Sequence, residues 1–172
     1  GHNEITLSSL STSDFRDLPA ITDKMLDYCS MNKVNLSVPS LRADSFSREL
    51  MQRLQTLRKS GLTFAPEAGT QRLRNVINKN LTEEEILSAC ENAFSGGWSN
   101  VKLYFMLGLP TETDEDVLGI AELLYKIIGV WKDCASNKKK GLRIHVATAY
   151  FVPKPHTPSQ WETQITPEEY MR

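Results

Sequence analysis

Residues 101–131 read VKLYFMLGLPTETDEDVLGIAELLYKIIGVW, and this stretch decides the fold class. Its first seven residues, Val101 to Leu107, form a mostly apolar run that is typical of a buried strand. The glycine and proline that follow mark a turn, and Thr113 is a suitable N-cap for the next segment. From there to Trp131 apolar residues recur at helical spacing. The stretch therefore predicts a strand, a tight turn and a long amphipathic helix.

The same alternation of short apolar runs and amphipathic segments occurs along the rest of the chain. A capping box at Thr82–Glu85 predicts the start of another helix, and Gly96–Gly97 its end. Further strands are predicted at Ile5–Leu7, Val34–Val38, Leu62–Ala65 and Leu142–Phe151, and further helices near residues 17–29 and 44–57. Strands that are roughly thirty to forty residues apart, with a helix between them, are βαβ crossovers, which require a parallel sheet. The chain is therefore predicted to be an α/β domain.

Length and composition restrict the class of protein. The chain has 172 residues, of which 20 are basic and 21 acidic, and a net charge of −1. This balance disfavours a dedicated polyanion binder, which needs clustered Lys and Arg. No apolar run is long enough to cross a bilayer. Because Cys29, Cys90 and Cys134 are far apart in sequence, neither a disulfide framework nor a cysteine metal site is predicted, and a reducing cytoplasm is the expected location.

Ligands of parallel α/β sheets bind beyond the carboxyl ends of the strands. The segments that follow the predicted strands, here called the strand-end rim, are residues 8–13, 39–44, 66–72, 108–113 and 152–158. They are rich in small and polar residues and in proline, which stiffens a loop, and Gly69 and Gly108 allow close backbone approach. The strand-end rim is therefore predicted to be a preorganised mouth. Its hydroxyls, carboxylate and cations suit a zwitterionic ligand that carries hydroxyl groups.

Each of these features also has a purely structural interpretation. Serine-rich segments before helices are usually caps, a Gly-Leu-Pro run is usually a turn, and Glu67 serves equally well as a cap of the next helix. His145, inside a predicted strand, is expected to be a sheet residue rather than a catalytic base, and His156 has no recognisable partner. The three tryptophans, Trp98, Trp131 and Trp161, are expected to be packing residues.

Two segments, in this order, resemble the radical S-adenosylmethionine (radical SAM) superfamily. FAPEAGT at residues 64–70, continuing through RLR to NKNLTEE at 78–84, resembles the fourth-strand signature of methylthiotransferases and oxygen-independent coproporphyrinogen dehydrogenases. LYFMLGLPTET at 103–113 resembles their fifth-strand signature. The nearest resemblance is to uncharacterised radical SAM proteins of the cobalamin-binding type, in which PSLRAD (39–44) and PKPHTP (153–158) also occur.

The resemblance implies a partial (β/α)6 barrel of the TIM type, with residues 1–172 supplying its second to sixth strands. It implies that SAM binds across the strand ends and that a [4Fe–4S] cluster cleaves it to a 5′-deoxyadenosyl radical, which takes hydrogen from a substrate. The family's Cys-x3-Cys-x2-Cys loop is absent from this sequence, so the first βα unit is expected to be missing and the fragment to be inactive alone. Cobalamin, if used, would be held by a further domain.

The resemblance also implies SAM contacts in the early part of the chain and on the fifth-strand signature. Ser9 takes the place of a segment that meets the SAM amino group, while Ser40 and Arg42 face the methionine moiety. Tyr104 stands where some relatives have a ribose-binding aspartate. Adenine is expected beside four further residues, which are Leu107, Gly108, Phe151 and Val152.

The fourth-strand signature supplies the charged contacts. Glu67 matches the family's ribose-binding Gln or Glu, and a carboxylate is well suited to accept two hydroxyl hydrogen bonds. Lys79 stands where relatives often have an arginine for the methionine carboxylate. Lysine keeps the charge but loses the bidentate fork, so Arg72 and Arg74 are alternatives for this role.

Two classes of function stay open. The first is the SAM-binding portion of a radical SAM iron–sulfur enzyme that acts on an unidentified substrate, with SAM and further domains of the same polypeptide as partners and without membrane or direct nucleic-acid contact. The second is a non-catalytic α/β binding module in which SAM chemistry has been lost. A phosphate-binding barrel is disfavoured, because the segment after the last strand supplies prolines instead of free amides. A Cys-x3-Cys-x2-Cys motif in the full-length reading frame would favour the enzyme.

Overall fold

The computed structural model describes residues 4–6, 16–37 and 62–171. The strands are β1 Glu4–Thr6, β2 Asn35–Ser37, β3 Leu62–Glu67, β4 Asn100–Leu107 and β5 Arg143–Tyr150. The helices are α1 Leu18–Asn32, α2 Gln71–Val76, α3 Glu83–Ser95, α4 Asp114–Cys134 and α5 Pro167–Tyr170, with a 3-10 turn at Lys138–Lys140. The predicted helix at residues 44–57 lies outside the described residues. None of the described helices is both long enough and apolar enough to span a membrane.

The strand pairs of the described residues are parallel. β1 pairs with β2, and β3, β4 and β5 form a sheet in that order, with β4 at its centre. β4 and β5 stay in register from Asn100 opposite Arg143 to Leu107 opposite Tyr150. β3 shifts its register against β4 between Phe64 and Glu67. Parallel strands with helical connections confirm the predicted α/β fold class.

The core lies on one face of the three-stranded sheet. Along β4 the side chains of Val101, Leu103 and Phe105 are buried, whereas Lys102 and Tyr104 alternate with them and are exposed. The buried face packs against apolar residues of α3 and α4, which are Ile86, Ala89, Cys90, Ala93, Phe94, Leu123 and Ile127. The second face of the sheet is therefore accessible, and it carries polar side chains.

Local sequence sets the helix boundaries. The predicted capping box is present at the start of α3: Thr82 Oγ1 accepts the N–H of Glu85 at 3.2 Å, and Glu85 Oε2 accepts the N–H of Thr82 at 2.7 Å. This helix ends at Gly96, and Gly97 follows with a φ of +81°. Thr113 precedes α4, as predicted.

The structure departs from the sequence expectations in two places. The indole of Trp161 is 89% exposed and does not pack, because it lies in the loop after β5 and outside the elements that build the core. Trp98 and Trp131 pack against the core as expected. The second departure is the short helix α2, which was not predicted. Its N-cap is Thr70, so Glu67 ends β3 and does not cap the next helix.

Candidate functional site

The carboxyl ends of β3, β4 and β5 lie at one edge of the sheet. The register places Glu67 opposite Phe105, and Leu107 opposite Tyr150. The N–H of Phe151 donates to the carbonyl oxygen of Leu107 at 2.9 Å, so the chain leaving β5 begins beside the turn that leaves β4. Three segments of the strand-end rim therefore start at the same edge.

Left-handed backbone at non-glycine residues is concentrated near this edge. Glu67, Thr111 and His156 have φ values of 68°, 64° and 63°, and each lies at the end of, or after, a different strand of this sheet. Asn78, which precedes Lys79, has a φ of 54°. Such conformations cost on the order of 1–3 kcal/mol each and are enriched at ligand sites. The backbone therefore marks this edge as a candidate binding site.

Glu67 and Lys79 form an ion pair at the end of β3. The Nζ of Lys79 lies 3.5 Å from Oε1 of Glu67, and the two side chains are 36% and 26% exposed respectively. α2 and the turn after it return the chain to this position, where the N–H of Lys79 donates to the carbonyl oxygen of Arg74 at 2.8 Å. The structure thus brings together the two charged residues that the family resemblance assigned to the ligand.

Arg74, one of the alternatives to Lys79, forms its hydrogen bonds within the protein. It is fully buried, and its Nη1 donates to the carbonyl oxygens of Ala68 and Gly69 at 3.0 and 3.1 Å. Its Nη2 donates to Oε1 of Gln71 at 3.2 Å. These bonds close the loop between β3 and α2 around the guanidinium group, so Arg74 is committed to loop structure.

Arg72, the other alternative, is held by α4. Its guanidinium group pairs with the carboxylate of Asp116, and its Nη2 also donates to the carbonyl oxygen of Thr111 at 2.8 Å. The side chain is half exposed, but its charge is already matched by a buried carboxylate. Lys79 is therefore better placed than either arginine to meet a ligand beside Glu67.

Gly108 shapes the turn after β4. Its φ of +78° favours glycine, and its N–H donates to Oε1 of Glu112 at 2.8 Å. A Cβ at this position would lie 2.6–2.7 Å from side-chain atoms of Ile165. The segment after β5 therefore packs directly on the turn, and any larger residue at position 108 would displace it.

The structure brings together parts of the four residues that were predicted to lie beside adenine, and their contact with adenine stays a prediction. Leu107 and Phe151 are joined by their backbone hydrogen bond, Gly108 follows directly, and Val152 is 51% exposed next to Phe151. Ile165 is an additional apolar neighbour of Gly108 that sequence reasoning missed. It lies beyond the proline-rich loop, where nothing in the sequence spacing shows that the chain returns to this turn.

Glu112 makes the stability of this turn depend on pH. Burial raises the pKa of its carboxyl group, and hydrogen bonds from the N–H groups of Gly108 and Leu109 offset this only in part. Since the folded-state pKa is raised, the contribution of Glu112 to stability is complete below the ordinary value of 4.5 and is lost as pH rises through the folded-state pKa. Glu112→Gln keeps an oxygen acceptor without the charge.

We therefore expect Glu112→Gln to raise the melting temperature at about pH 7 and to lose this advantage near about pH 3, where the carboxyl group is neutral in both states. Thermal unfolding followed by circular dichroism across this pH range checks the prediction. A gain that does not change with pH would contradict it.

Tyr104 lies within β4 rather than at its end. It is opposite Ala147 of β5, is 39% exposed, and is on the accessible face of the sheet. The Nζ of Lys102 lies 4.7 Å from the centroid of its ring. The predicted ribose contact of Tyr104 therefore requires a ligand that extends from the edge onto this face.

Three predicted contact residues, Ser9, Ser40 and Arg42, lie outside the described residues. Their contacts with the amino group and the methionine moiety of SAM stay predictions.

The cysteines do not form a metal centre. Cys29 is buried on α1, Cys90 is buried on α3, and Cys134 ends α4. Burial raises the pKa of the Cys90 thiol to about 12, which disfavours a thiolate there. Residues 4–6, 16–37 and 62–171 contain no group of three or more His, Cys, Asp or Glu side chains that could hold a metal ion.

Comparison with known proteins identifies the family. A sequence model of the Radical SAM superfamily matches residues 1–124, a range that includes the ends of β3 and β4. The chain belongs to the radical SAM superfamily. The uncharacterized protein MJ0966 of Methanocaldococcus jannaschii is 36% identical over 155 residues, which cover 90% of this radical SAM chain and 31% of that protein.

A solved structure shows the same fold. Coproporphyrinogen III oxidase (HemN) from Escherichia coli, described as a radical SAM enzyme, matches with a TM-score of 0.66 and 13% sequence identity over 98% of this chain and 37% of HemN. The family resemblance and the fold expected from it are thus confirmed. This radical SAM chain spans about a third of the length of both relatives. The comparisons do not support the cobalamin-binding type, and the assignment of residues 1–172 to the second through sixth strands stays a prediction.

A polar network joins the segment after β3 to the segment after β4, and it was also missed by sequence reasoning. Asp116 is 2% exposed and binds Thr70 and Arg72, which precede it by 46 and 44 residues. The Thr113–Asp116 spacing is a signal for a helix cap. No local pattern shows that a second loop shares the same carboxylate.

Proposed function

We propose that this chain is the SAM-binding portion of a radical SAM iron–sulfur enzyme. In the complete enzyme, a bound [4Fe–4S] cluster would supply the chemistry that cleaves SAM to a radical for hydrogen abstraction, and this chain would bind and orient SAM. The observation that carries the proposal is the Glu67–Lys79 pair, which lies at the end of β3 on the fold of this superfamily.

The donor set at this edge fits the chemistry of SAM. The carboxylate of Glu67 is able to accept hydrogen bonds from both ribose hydroxyls, and the ammonium group of Lys79 is able to bind the methionine carboxylate. Ile165 packs beside Gly108, and the backbones of Leu107 and Phe151 are hydrogen-bonded next to it, so apolar residues suited to the faces of adenine lie at this turn. The three parts of the ligand would thus meet three different kinds of surface.

The Glu67–Lys79 ion pair does not prevent binding. Both side chains are partly exposed, and a pair of this kind contributes only about 0–1 kcal/mol. Opening it, so that each group turns to the ligand, therefore costs little.

The cysteines of this chain do not fit the cluster. Cys29 and Cys90 are buried on different helices, and the Cys-x3-Cys-x2-Cys spacing of the family is absent. We therefore assign no step of the reaction to cluster ligands in this chain. The proposed role of its residues is to bind and orient SAM.

Lys79→Met tests the assignment of the methionine carboxylate. We expect this variant to weaken SAM by about fivefold and to leave decarboxylated SAM nearly unaffected, because the lost interaction involves a partly exposed charge pair. Equilibrium dialysis with the two ligands measures the difference. Lys132→Met, which removes an exposed cation near the end of α4, is the matched control. Equal losses for both ligands would show that Lys79 does not bind the carboxylate.

Anaerobic reconstitution of the full-length protein tests the proposed reaction. The expected results are iron–sulfur absorbance and release of 5′-deoxyadenosine from SAM in the presence of a reductant. A full-length protein that binds SAM and forms no cluster would favour the non-catalytic binding module. Failure to bind SAM at all would contradict the proposed function and would favour a binding module whose strand-end rim takes a different partner.

A further inference from the structure

We propose that Asp116 is a positioning residue that fixes the end of β3 against the end of β4 in the spacing that SAM requires. This inference rests on the proposed function, since it concerns the same ligand. In this proposal Asp116 does not contact SAM itself. It holds in place two loops that are proposed to contact SAM.

The carboxylate of Asp116 binds groups from both loops. From the loop after β4, the N–H and the hydroxyl of Thr113 donate to its Oδ2 at 2.9 and 3.0 Å. From the segment after β3, the hydroxyl of Thr70 donates to Oδ1, and the guanidinium group of Arg72 donates to both oxygens. One buried carboxylate thus joins both loops.

Helix capping alone does not explain this arrangement. A cap needs only the Thr113 contacts and works on an exposed surface, whereas Asp116 is 2% exposed. Burial of a carboxylate is costly unless it is paired and fully hydrogen-bonded. Burial alone would raise the pKa of Asp116, and the hydrogen bonds from Arg72, Thr70 and Thr113 outweigh it, so that the pKa lies well below its ordinary value. The carboxylate is therefore charged and held by both loops.

The backbone of the loop after β3 also approaches the backbone of the first turns of α4 closely, beside Asp116. A Cβ on Gly69 would lie 2.5 Å from the carbonyl oxygen of Asp116 and 2.7 Å from the carbonyl carbon of Gly119. A Cβ on Gly119 would lie 2.6 Å from Cγ2 of Thr70. The loop after β3 therefore rests on the first turns of α4, with glycine on both sides of the contact.

These contacts couple the two predicted ligand surfaces. Thr70 follows Glu67 by three residues along a loop that Arg74 closes, and Thr113 ends the turn that begins at Gly108. Loss of the Asp116 charge would release Arg72 and Thr70 together, so Glu67 would shift relative to Gly108. A ligand that must contact both surfaces is sensitive to such a shift, because small misplacements of binding groups have large effects.

Asp116→Asn in the full-length protein tests this inference. We expect it to weaken SAM by about tenfold, measured by calorimetry well below the melting temperature. Asp114→Asn, which removes an exposed carboxylate from the same helix turn, is the matched control and is expected to bind SAM like the parent. If Asp116→Asn does not fold, Arg72→Gln replaces it, because Arg72 is half exposed and its loss releases the same loop.

A double-mutant cycle with Glu67→Ala separates positioning from general destabilisation. Because Asp116 acts largely through Glu67, its replacement should have a much smaller effect on SAM when Glu67 is already Ala. If the losses of SAM affinity in the two single variants multiply fully in the double variant, the positioning role is contradicted. It is also contradicted if Asp116→Asn binds SAM as well as Asp114→Asn does while Glu67→Ala binds SAM poorly. If Glu67→Ala itself binds SAM normally, the proposed SAM site fails instead.

Discussion

Gly69→Ala is expected to lower the free energy of unfolding by about 1–3 kcal/mol, the range for overpacking of a tightly packed site. Residue 69 has an ordinary backbone conformation, so the cost arises from contact and not from φ. Its added methyl group would meet the backbone of α4 at Asp116 and Gly119, where no flexible side chain is available to move aside. The first turns of α4 would have to separate from the loop after β3.

Gly129→Ala is the matched control for this prediction. Gly129 lies in α4, the helix that Gly69 contacts, and a Cβ at position 129 would meet nothing within 4 Å. Since glycine in a helix interior is roughly 1 kcal/mol less favourable than alanine, this variant should be slightly more stable than the parent. Chemical denaturation of the three proteins measures both effects. If Gly69→Ala is as stable as the parent, the close contact between the two regions is wrong.

Glu67→Ala is expected to weaken SAM binding by about 1.5–3 kcal/mol, which corresponds to on the order of 10- to 100-fold in affinity. The lost interaction is a pair of charge-assisted hydrogen bonds from the ribose hydroxyls to the carboxylate. Alanine retains a Cβ at the φ of +68°, so the backbone conformation carries a similar cost in both proteins. Calorimetric titration of the full-length protein with SAM provides the measurement.

Two further variants make this result specific. Glu67→Gln retains an acceptor oxygen without the charge and should lose less affinity than Glu67→Ala. Glu122→Ala removes an exposed carboxylate on α4, away from the strand ends, and should bind SAM like the parent. Equal losses for Glu67→Ala and Glu122→Ala would indicate a general effect of charge and would remove Glu67 from the site.

The fold was predictable where local signals and burial agree. The run from Val101 to Leu107 has both the composition of a strand and the burial of one, and the structure extends it by only one residue, to Asn100. The capping box at Thr82–Glu85 is read from four residues because both of its hydrogen bonds are local. Parallel order then follows from the helical connections.

The site was predictable only in part, because its geometry depends on contacts between distant segments. Glu67 and Lys79 were assigned by family resemblance, and the short helix α2 that brings them together has too few residues to give a periodic signal. Asp116 looks like an ordinary capping residue until its partners Thr70 and Arg72 are seen in three dimensions.

Hydrogen–deuterium exchange of the full-length protein with and without SAM is the most direct test of a SAM site at the carboxyl ends of β3, β4 and β5. We predict that SAM slows exchange in peptides that cover residues 64–80, 105–113 and 150–153, and that Glu67→Ala abolishes this protection at the same SAM concentration. Protection that is confined to other parts of the protein, or that persists unchanged in Glu67→Ala, would contradict it.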